Sequence, residues 1–451
     1  MSYTLLPAVL LGIALLLFLI VKAKWPAFIA LLTVSITVGL LAGMPADAVV
    51  KSIEKGMGGT LGYVATIVGL GSILGGILEK SGGSQVIARA LLEWFGLKRA
   101  SSAMAVAGFV IAIPVFFDVA FIILYPVLGA LQRKTGKNVL FFALPLLAGL
   151  AVGHAFVPPT PGPIAVANIL GADLGWVILS GVVVGFPTAL VAGVWAGRRL
   201  AAGVSMDTQV TEAEEVLEDA QMPSVSLVMW MIFLPIGLIL MNTCIQADLW
   251  FKASEGWKQA AGLAGHPFTA LLLANILAWY LLGRRMGYST AELGRISTQS
   301  FQSAGVIILL TGAGGAFKQI LVDTGAGEMM ARSAEDAHVH ILVLAFLMAA
   351  IIRVLQGSAT VAMATAAGII APLVIQSGIT GLPLACIVTA IASGASILSH
   401  VNDSGFWLVK EYLGLTERQT FRSWTAMTTV LGVCGFMLSW GLYLLVNVPQ
   451  Q

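Results

Sequence analysis

The sequence predicts an all-α polytopic membrane protein made of two inverted repeats, each with five spanning helices and one re-entrant hairpin, and with broken helices. Of its 451 residues, 58% are hydrophobic and only 10% are charged, and the mean hydropathy is +0.94. A soluble protein carries about 25% charged residues. A water-soluble fold is therefore excluded. The order of the apolar runs and a match between the two halves predict the arrangement in the membrane.

Ten apolar runs have the length of a membrane-spanning helix, which is about 20 residues. Basic residues stay on the cytoplasmic side, and the first run has none before it but is followed by Lys22 and Lys24. We therefore expect both termini outside, because an even number of spans returns the chain to the same side. The runs are 5–21, 27–43, 57–78, 139–169, 176–197, 227–245, 268–283, 301–322, 384–412 and 424–446.

Two further apolar stretches, 103–131 and 341–375, are interrupted near their centres, at Pro114 and at Gly357. Each arm is then expected to be too short to cross the ~30 Å core. Basic clusters flank 103–131 on both sides, which predicts a re-entrant hairpin that enters from the cytoplasm. The second stretch lacks such clusters, which predicts a hairpin that enters from outside.

The two halves of the chain match each other. Residues 69–90 align without gaps with 312–333 at an offset of 243, and seven positions are identical. We therefore predict a first repeat over 1–200 and a second over 227–451. An acidic cytoplasmic linker over 201–226 joins them; its carboxylates are Glu212, Glu214, Glu215, Glu218 and Asp219.

The repeat also pairs two broken helices. One is expected near 153–163, which holds four prolines, and the other near 399–405. Because five spans is an odd number, the second repeat must enter the membrane upside down. Inverted repeats with broken helices are typical of secondary transporters, and freed amides at half-helix ends suit an anionic solute. The sequence therefore predicts a carrier for a small anionic organic substrate.

Polar side chains at the hairpin tips and helix breaks are candidates for binding a solute rich in hydroxyl groups. Arg353 could bind a carboxylate bidentately, or it could be a buried ion-pair partner of Asp118 or Asp403. The candidate substrate-binding residues are Thr160, Arg353, Gln356, Ser358, Thr360, Asn402 and Ser404.

Ionisable residues inside the membrane are candidates for proton coupling, because a charge there costs at least ~2.5–3.5 kcal/mol. Asp118 and Asp403 could carry the proton, or each could cap a helix or staple a hairpin without titrating. His154 and His400 occur in the same order in the two repeats. Their alternative role is a structural hydrogen bond.

Several other function classes are not expected. A net charge of +2 argues against a nucleic-acid partner. The three cysteines lack metal-ligand spacing, so neither a metal nor another cofactor is expected. The sequence offers no nucleophile–base set for an enzyme. An ion channel or a sodium/proton antiporter stays open as an alternative, although neutral polar hairpin tips favour a closed site for an organic solute.

Four motifs in order resemble the gluconate permease family of the ion transporter superfamily: FFDVAF at 116–121, HAFVPPTPGP at 154–163, RVLQGSATVAMAT at 353–365 and HVNDSGFW at 400–407. The resemblance covers essentially the whole chain. It implies proton symport of gluconate or a related sugar acid across the bacterial inner membrane, by a homodimer with an elevator-like movement. D-serine or hydroxybutyrate as cargo, and sodium as the coupling ion, are the alternatives within the family.

Overall fold

The computed structural model describes residues 5–204, 222–249, 252–326 and 339–447. All regular secondary structure within these ranges is helical, which confirms the predicted all-α class. Most of the predicted acidic linker, residues 205–221, lies outside the described residues. So do positions 327–333 at the end of the repeated segment.

The helices of the first half precede residue 205. They are α1 (Leu5–Leu17), α2 (Ala27–Leu41), α3 (Ala46–Lys80), α4 (Gly83–Phe95), α5 (Ala100–Ile111), α6 (Phe117–Thr135), α7 (Leu140–Phe156), α8 (Pro161–Leu170), α9 (Leu174–Ala189) and α10 (Gly197–Ala202). Those of the second half are α11 (Val225–Gln246), α12 (Glu255–Ala264), α13 (Pro267–Ala278), α14 (Thr290–Asp323), α15 (Ile341–Gln356), α16 (Ala359–Ser377), α17 (Gly381–Ser396), α18 (Ser404–Tyr412), α19 (Glu417–Thr420) and α20 (Ala426–Val446).

Short π-helical turns extend or join several of these helices. They are Phe18–Lys22 after α1, Leu190–Ala196 between α9 and α10, Trp279–Gly283 after α13 and Phe421–Thr425 between α19 and α20. A π-turn closes its hydrogen bond one residue further along than an α-turn. The helix therefore continues through it with a shift of its faces.

Eight helical stretches in the described ranges are long and apolar enough to cross a membrane, so the chain is a multi-pass membrane protein. Most predicted spans overlap these stretches, whereas 5–21 and 27–43 coincide with shorter apolar helices and 384–412 divides into two helices. The eight stretches are Ala46–Lys80, Leu140–Leu170, Leu174–Ala202, Val225–Gln246, Pro267–Met286, Thr290–Asp323, Ala359–Ser377 and Glu417–Val446.

Glycines let the longest helices pack with their backbones close together, as small residues do between membrane helices. A Cβ atom at Gly56 of α3 would lie 2.4 Å from the carbonyl oxygen of Gly315 in α14. One at Gly149 of α7 would lie 2.1 Å from the carbonyl oxygen of Ala105 in α5. The pairs α3/α14 and α5/α7 therefore depend on residues without side chains.

Two apolar stretches are interrupted by irregular backbone. The segment 157–160 separates α7 from α8, because Pro158 and Pro159 have no N–H group to donate to a helix. The segment 397–403 separates α17 from α18. There Asp403 is the N-cap residue of α18, and its carboxylate accepts a hydrogen bond from the backbone N–H of Gly405 at 3.1 Å.

Two helix pairs occupy the stretches predicted as hairpins. Helices α5 and α6 meet around 112–116, and α15 and α16 meet at Gly357 and Ser358. Helix α5 has 12 residues and α15 has 16. The expectation that every arm is too short to cross is wrong for Ala359–Ser377, however. This helix is one of the eight membrane-length stretches, because its 19 residues reach roughly 28 Å.

Candidate functional site

Helix α3 presents a face of small and polar residues to the turn between α5 and α6. Ser72, Gly75, Gly76 and Glu79 follow the i, i+3, i+4, i+7 spacing that places residues on one side of a helix. A Cβ atom at Gly75 would lie 1.9 Å from the carbonyl oxygen of Pro114. The turn therefore rests directly on the α3 backbone.

Two adjoining cavities lie along this face. The outer cavity measures about 200 Å³, and the inner one about 10 Å³. Both are smaller than the roughly 300–1,000 Å³ of drug-sized ligand pockets, which suits a compact solute. The outer cavity is lined by Ser72, Gly75, Gly76, Glu79, Lys80, Pro114, Val115, Phe116, Val119, Ile296, Gln299 and Ser300. The inner cavity is lined by Gly71, Ser72, Ile113, Pro114, Val115, Phe116, His154, Pro159, Thr160 and Pro161.

Two predicted site residues, His154 and Thr160, line the inner cavity. The hydroxyl of Thr160 donates a hydrogen bond of 2.6 Å to the carbonyl oxygen of Val157. His154 Nδ1 is buried and has no hydrogen-bond partner among the described residues, and its ring lies 5.9 Å from that of Phe116. The imidazole therefore has a polar atom that the surrounding protein leaves unused.

Arg353 and Asp403 form a buried ion pair in the second half of the chain. The guanidinium of Arg353 donates to the Asp403 carboxylate and to the carbonyl oxygen of Gly357. The same carboxylate accepts a hydrogen bond from the hydroxyl of Ser399. Arg353 is 5% exposed and Asp403 8%. This geometry corresponds to the alternative role that the sequence left open for both residues, an ion pair and a helix cap.

Hydrogen bonds to backbone hold the rest of this cluster. His400 Nε2 lies 2.9 Å from the carbonyl oxygen of Val354, and the side-chain amide of Asn402 donates to the same oxygen at 2.9 Å. Gly357 has a φ of +92°, and a Cβ atom on it would lie 2.1 Å from the Asn402 carbonyl oxygen. The α15–α16 turn therefore packs against the 397–403 interruption.

The remaining predicted residues lie near the same helix ends. Gln356 accepts a 3.0 Å hydrogen bond from the N–H of Ser358, whose hydroxyl oxygen caps α16. Thr360 is half-buried, Ser404 is the exposed first residue of α18, and Asp118 is exposed in the first turn of α6. Neither of the two cavities is lined by Arg353, Gln356, Ser358, Thr360, Asn402, Ser404, Asp118, Asp403 or His400.

The α5–α6 turn bridges the two groups of predicted residues. Phe116 lies beside His154, and the ring centroid of the next residue, Phe117, is 5.7 Å from that of Trp424. Trp424 donates its indole N–H to the Ser399 hydroxyl at 2.6 Å. A chain of contacts therefore runs from the cavities to the Arg353–Asp403 pair.

Glu79 and Lys80 line the outer cavity but are not among the predicted site residues. Their position near the end of a span favoured an interfacial role. The available signal was the spacing of Ser72 and Glu79 along one face of α3. On α14, Gln299 and Ser300 are positioned on the facing side by the same spacing from Ile296.

Interrupted membrane helices that enclose a small polar cavity define the class of membrane transporters. No group of residues that could hold a metal ion occurs in the described part of the chain. Residues 4–446 match the model of the GntP family permeases, and the chain belongs to this family. The protein is therefore a multi-pass membrane transporter and not an enzyme.

Relatives of known name match over almost their full length. The low-affinity gluconate transporter of Escherichia coli K12 is 40% identical over 424 residues, which cover 94% of this chain and 95% of the relative. The gluconate permease of Pseudomonas aeruginosa is 39% identical over 439 residues, with 97% and 96% coverage.

Two solved structures share the fold. The Alcanivorax borkumensis YdaH transporter superposes with a TM-score of 0.63 at 15% identity and covers 93% of this chain and 97% of its own. Neisseria gonorrhoeae MtrF gives a TM-score of 0.64 at 14% identity, with 92% and 93% coverage. At this identity the likeness concerns the fold alone.

Proposed function

We propose that the protein is a proton-coupled transporter that takes up gluconate or a related sugar acid across the bacterial inner membrane. The observation that carries the proposal is the match to a gluconate transporter and a gluconate permease, at 40% and 39% identity, over nearly the whole chain. The protons follow from the family resemblance of the four motifs.

The chemistry of the outer cavity supports a hydroxycarboxylate as the cargo. Hydroxyl groups of Ser72 and Ser300 and the amide of Gln299 can each donate and accept hydrogen bonds. Lys80 supplies a cation, whereas the guanidinium of Arg353 is already bound to Asp403. A carboxylate and several hydroxyl groups would therefore find partners in this cavity.

The architecture that we propose is a homodimer of inverted-repeat protomers with re-entrant hairpins, both termini outside and an elevator-like movement. Helices α3 and α14 end at positions related by the offset of 243, Lys80 and Asp323. In both halves a helix–turn–helix pair is followed by an interrupted helix, α7/α8 and α17/α18. In the proposed movement the polar residues near Gly357 and Asn402 meet the solute in another state of the cycle.

The test is uptake of radiolabelled gluconate into proteoliposomes under an imposed pH gradient. We expect accumulation that a protonophore abolishes, and stronger competition from sugar acids than from D-serine or hydroxybutyrate. Uptake driven by a sodium gradient instead would replace the coupling ion. Transport of D-serine in preference to gluconate would replace the cargo, and sodium/proton exchange without solute would replace the symporter by an antiporter.

A further inference from the structure

We propose that Glu79 is the residue that binds the coupled proton, and that it does so inside the cavity that receives the solute. The inference rests on the proposed symport function and assigns its proton site. It departs from the sequence-based candidates Asp118, Asp403, His154 and His400, of which His154 alone lines one of the two cavities.

Glu79 lies one residue before the end of α3, and its side chain is half-buried at the outer cavity. Ser72 lies two helical turns earlier on the same face, at a distance of about 10 Å along the axis. It lines both cavities. Among the described residues the Glu79 carboxylate makes no hydrogen bond or ion pair. Asp403, by contrast, has its carboxylate engaged by three donors.

The surroundings of Glu79 contain few other groups that titrate. The α5–α6 turn contributes Pro114, Val115, Phe116 and Val119 to the cavity wall, and α14 contributes Ile296, Gln299 and Ser300. Lys80 is the charged neighbour in the same cavity. The hydroxyl of Tyr288 donates to the Lys80 carbonyl oxygen at 2.6 Å, and the charged residues of α4, Arg89 and Glu93, do not line this cavity.

Coupling follows from the sharing of one cavity by two negative groups. An ionised Glu79 repels an anionic solute, and protonation removes this repulsion because like charges disfavour each other's ionised form. By thermodynamic reciprocity, a bound anion then raises the affinity of Glu79 for a proton by the same factor. On release into the cytoplasm, the solute leaves as the anion and the proton leaves the carboxyl group. One proton therefore enters with each solute anion.

The closing experiment measures the dissociation constant of gluconate for purified wild-type protein and Glu79→Gln between pH 5.5 and 8. For the wild type we expect weaker binding as the pH rises, by up to about tenfold per pH unit, the limit for one linked proton. Glu79→Gln mimics the protonated carboxyl. It should bind equally at every pH, with the wild type's affinity at acid pH, and should exchange gluconate without accumulating it against a gradient.

Two variants complete the design. Glu93→Gln removes an exposed carboxylate of α4 that does not line the cavity, and it should behave as wild type. Glu79→Ala removes the same carboxylate with a smaller side chain, so the test holds if Glu79→Gln does not fold. A Glu79 variant that keeps pH-dependent binding and accumulation overturns the Glu79 assignment alone. Absence of gluconate binding and uptake in the wild type overturns the proposed function instead.

Discussion

Arg353 and Asp403 illustrate how a charged residue inside a membrane protein can serve the structure. The ion pair joins α15 to the interruption before α18, and Ser399 and Gly405 satisfy the remaining carboxylate valences. Removing one partner of a buried pair leaves an uncompensated charge, which costs about 3–5 kcal/mol. The pair therefore fixes the local geometry whether or not the solute touches it.

Asp403→Asn should destabilise the protein because it leaves the Arg353 guanidinium without a counter-charge. The expected result is a loss of about 3–5 kcal/mol in the free energy of unfolding, seen as a lower melting temperature in detergent. The double variant Arg353→Gln/Asp403→Asn should recover part of this loss. Wild-type stability together with abolished accumulation would identify Asp403 as a proton carrier and contradict the structural role.

His154→Phe should weaken gluconate binding without lowering stability. The Nδ1 atom of His154 has no protein partner, so its loss breaks no internal hydrogen bond. A hydrogen bond to a charged group contributes about 1.5–3 kcal/mol, which corresponds to an increase of roughly tenfold or more in the dissociation constant. His400→Phe is the comparison, since its ring is bound to the Val354 carbonyl oxygen and its loss should lower the melting temperature. Unchanged binding by His154→Phe would exclude the imidazole from the site.

Among the helices, the glycines of α3 decide where the α5–α6 turn can lie. The carbonyl oxygen of Pro114 occupies the space that a side chain at Gly75 would need. Ser300 of α14 approaches Gly76 in the same way, with its Oγ 2.4 Å from the position of a Cβ atom. The walls of the outer cavity are thus set by two residues that have no side chain.

Gly75→Ala should disturb the cavity because the new Cβ atom would overlap the Pro114 carbonyl oxygen. Overpacking of this kind costs about 1–3 kcal/mol, and we expect a lower melting temperature together with weaker gluconate binding. Gly58→Ala, on an exposed position of the same helix with nothing within 4 Å of the added Cβ atom, is the matched control. It should be neutral or more stable by up to about 1 kcal/mol. Equal behaviour of the two variants would contradict the close contact.

The helices themselves could be predicted from the sequence because apolar length is nearly sufficient to define a span. The prolines around Val157 and the capping residue Asp403 also lie where helices are interrupted. Side-chain partners could not be predicted in the same way. The choice between a solute and Asp403 as the partner of Arg353 depends on a distance that only the fold fixes. Glu79 and Lys80 acquire a cavity only when α14 and the α5–α6 turn close over α3.

At the scale of the whole molecule, apolar length does not determine how the α5–α6 and α15–α16 pairs sit in the bilayer. Helix α16 is long enough to cross, whereas α5 and α15 are shorter than a full span. Basic residues on both flanks of the first pair favour a hairpin. The topology therefore rests on a charge rule that labelling can test.

Single cysteines at Lys98 and at Lys134, in a background without Cys244, Cys386 and Cys434, should react from the same side of the membrane. Both positions are exposed and lie outside the apolar part of the α5–α6 pair. We expect labelling by a membrane-impermeant maleimide in inside-out vesicles and protection in intact cells. Reaction from opposite sides would turn the pair into a crossing and invert the orientation of everything after it.

The π-turn Leu190–Ala196 makes the azimuthal order of a span sensitive to a single residue. An α-helix turns by about 100° per residue. Deleting one residue from this turn would leave a continuous helix, yet it would rotate all that follows by that angle. Arg198, whose Nε donates to the Ser101 hydroxyl at 3.2 Å, would then face a different neighbour. A one-residue deletion in this span acts as a screw movement, and its cost falls on the partners of the rotated end.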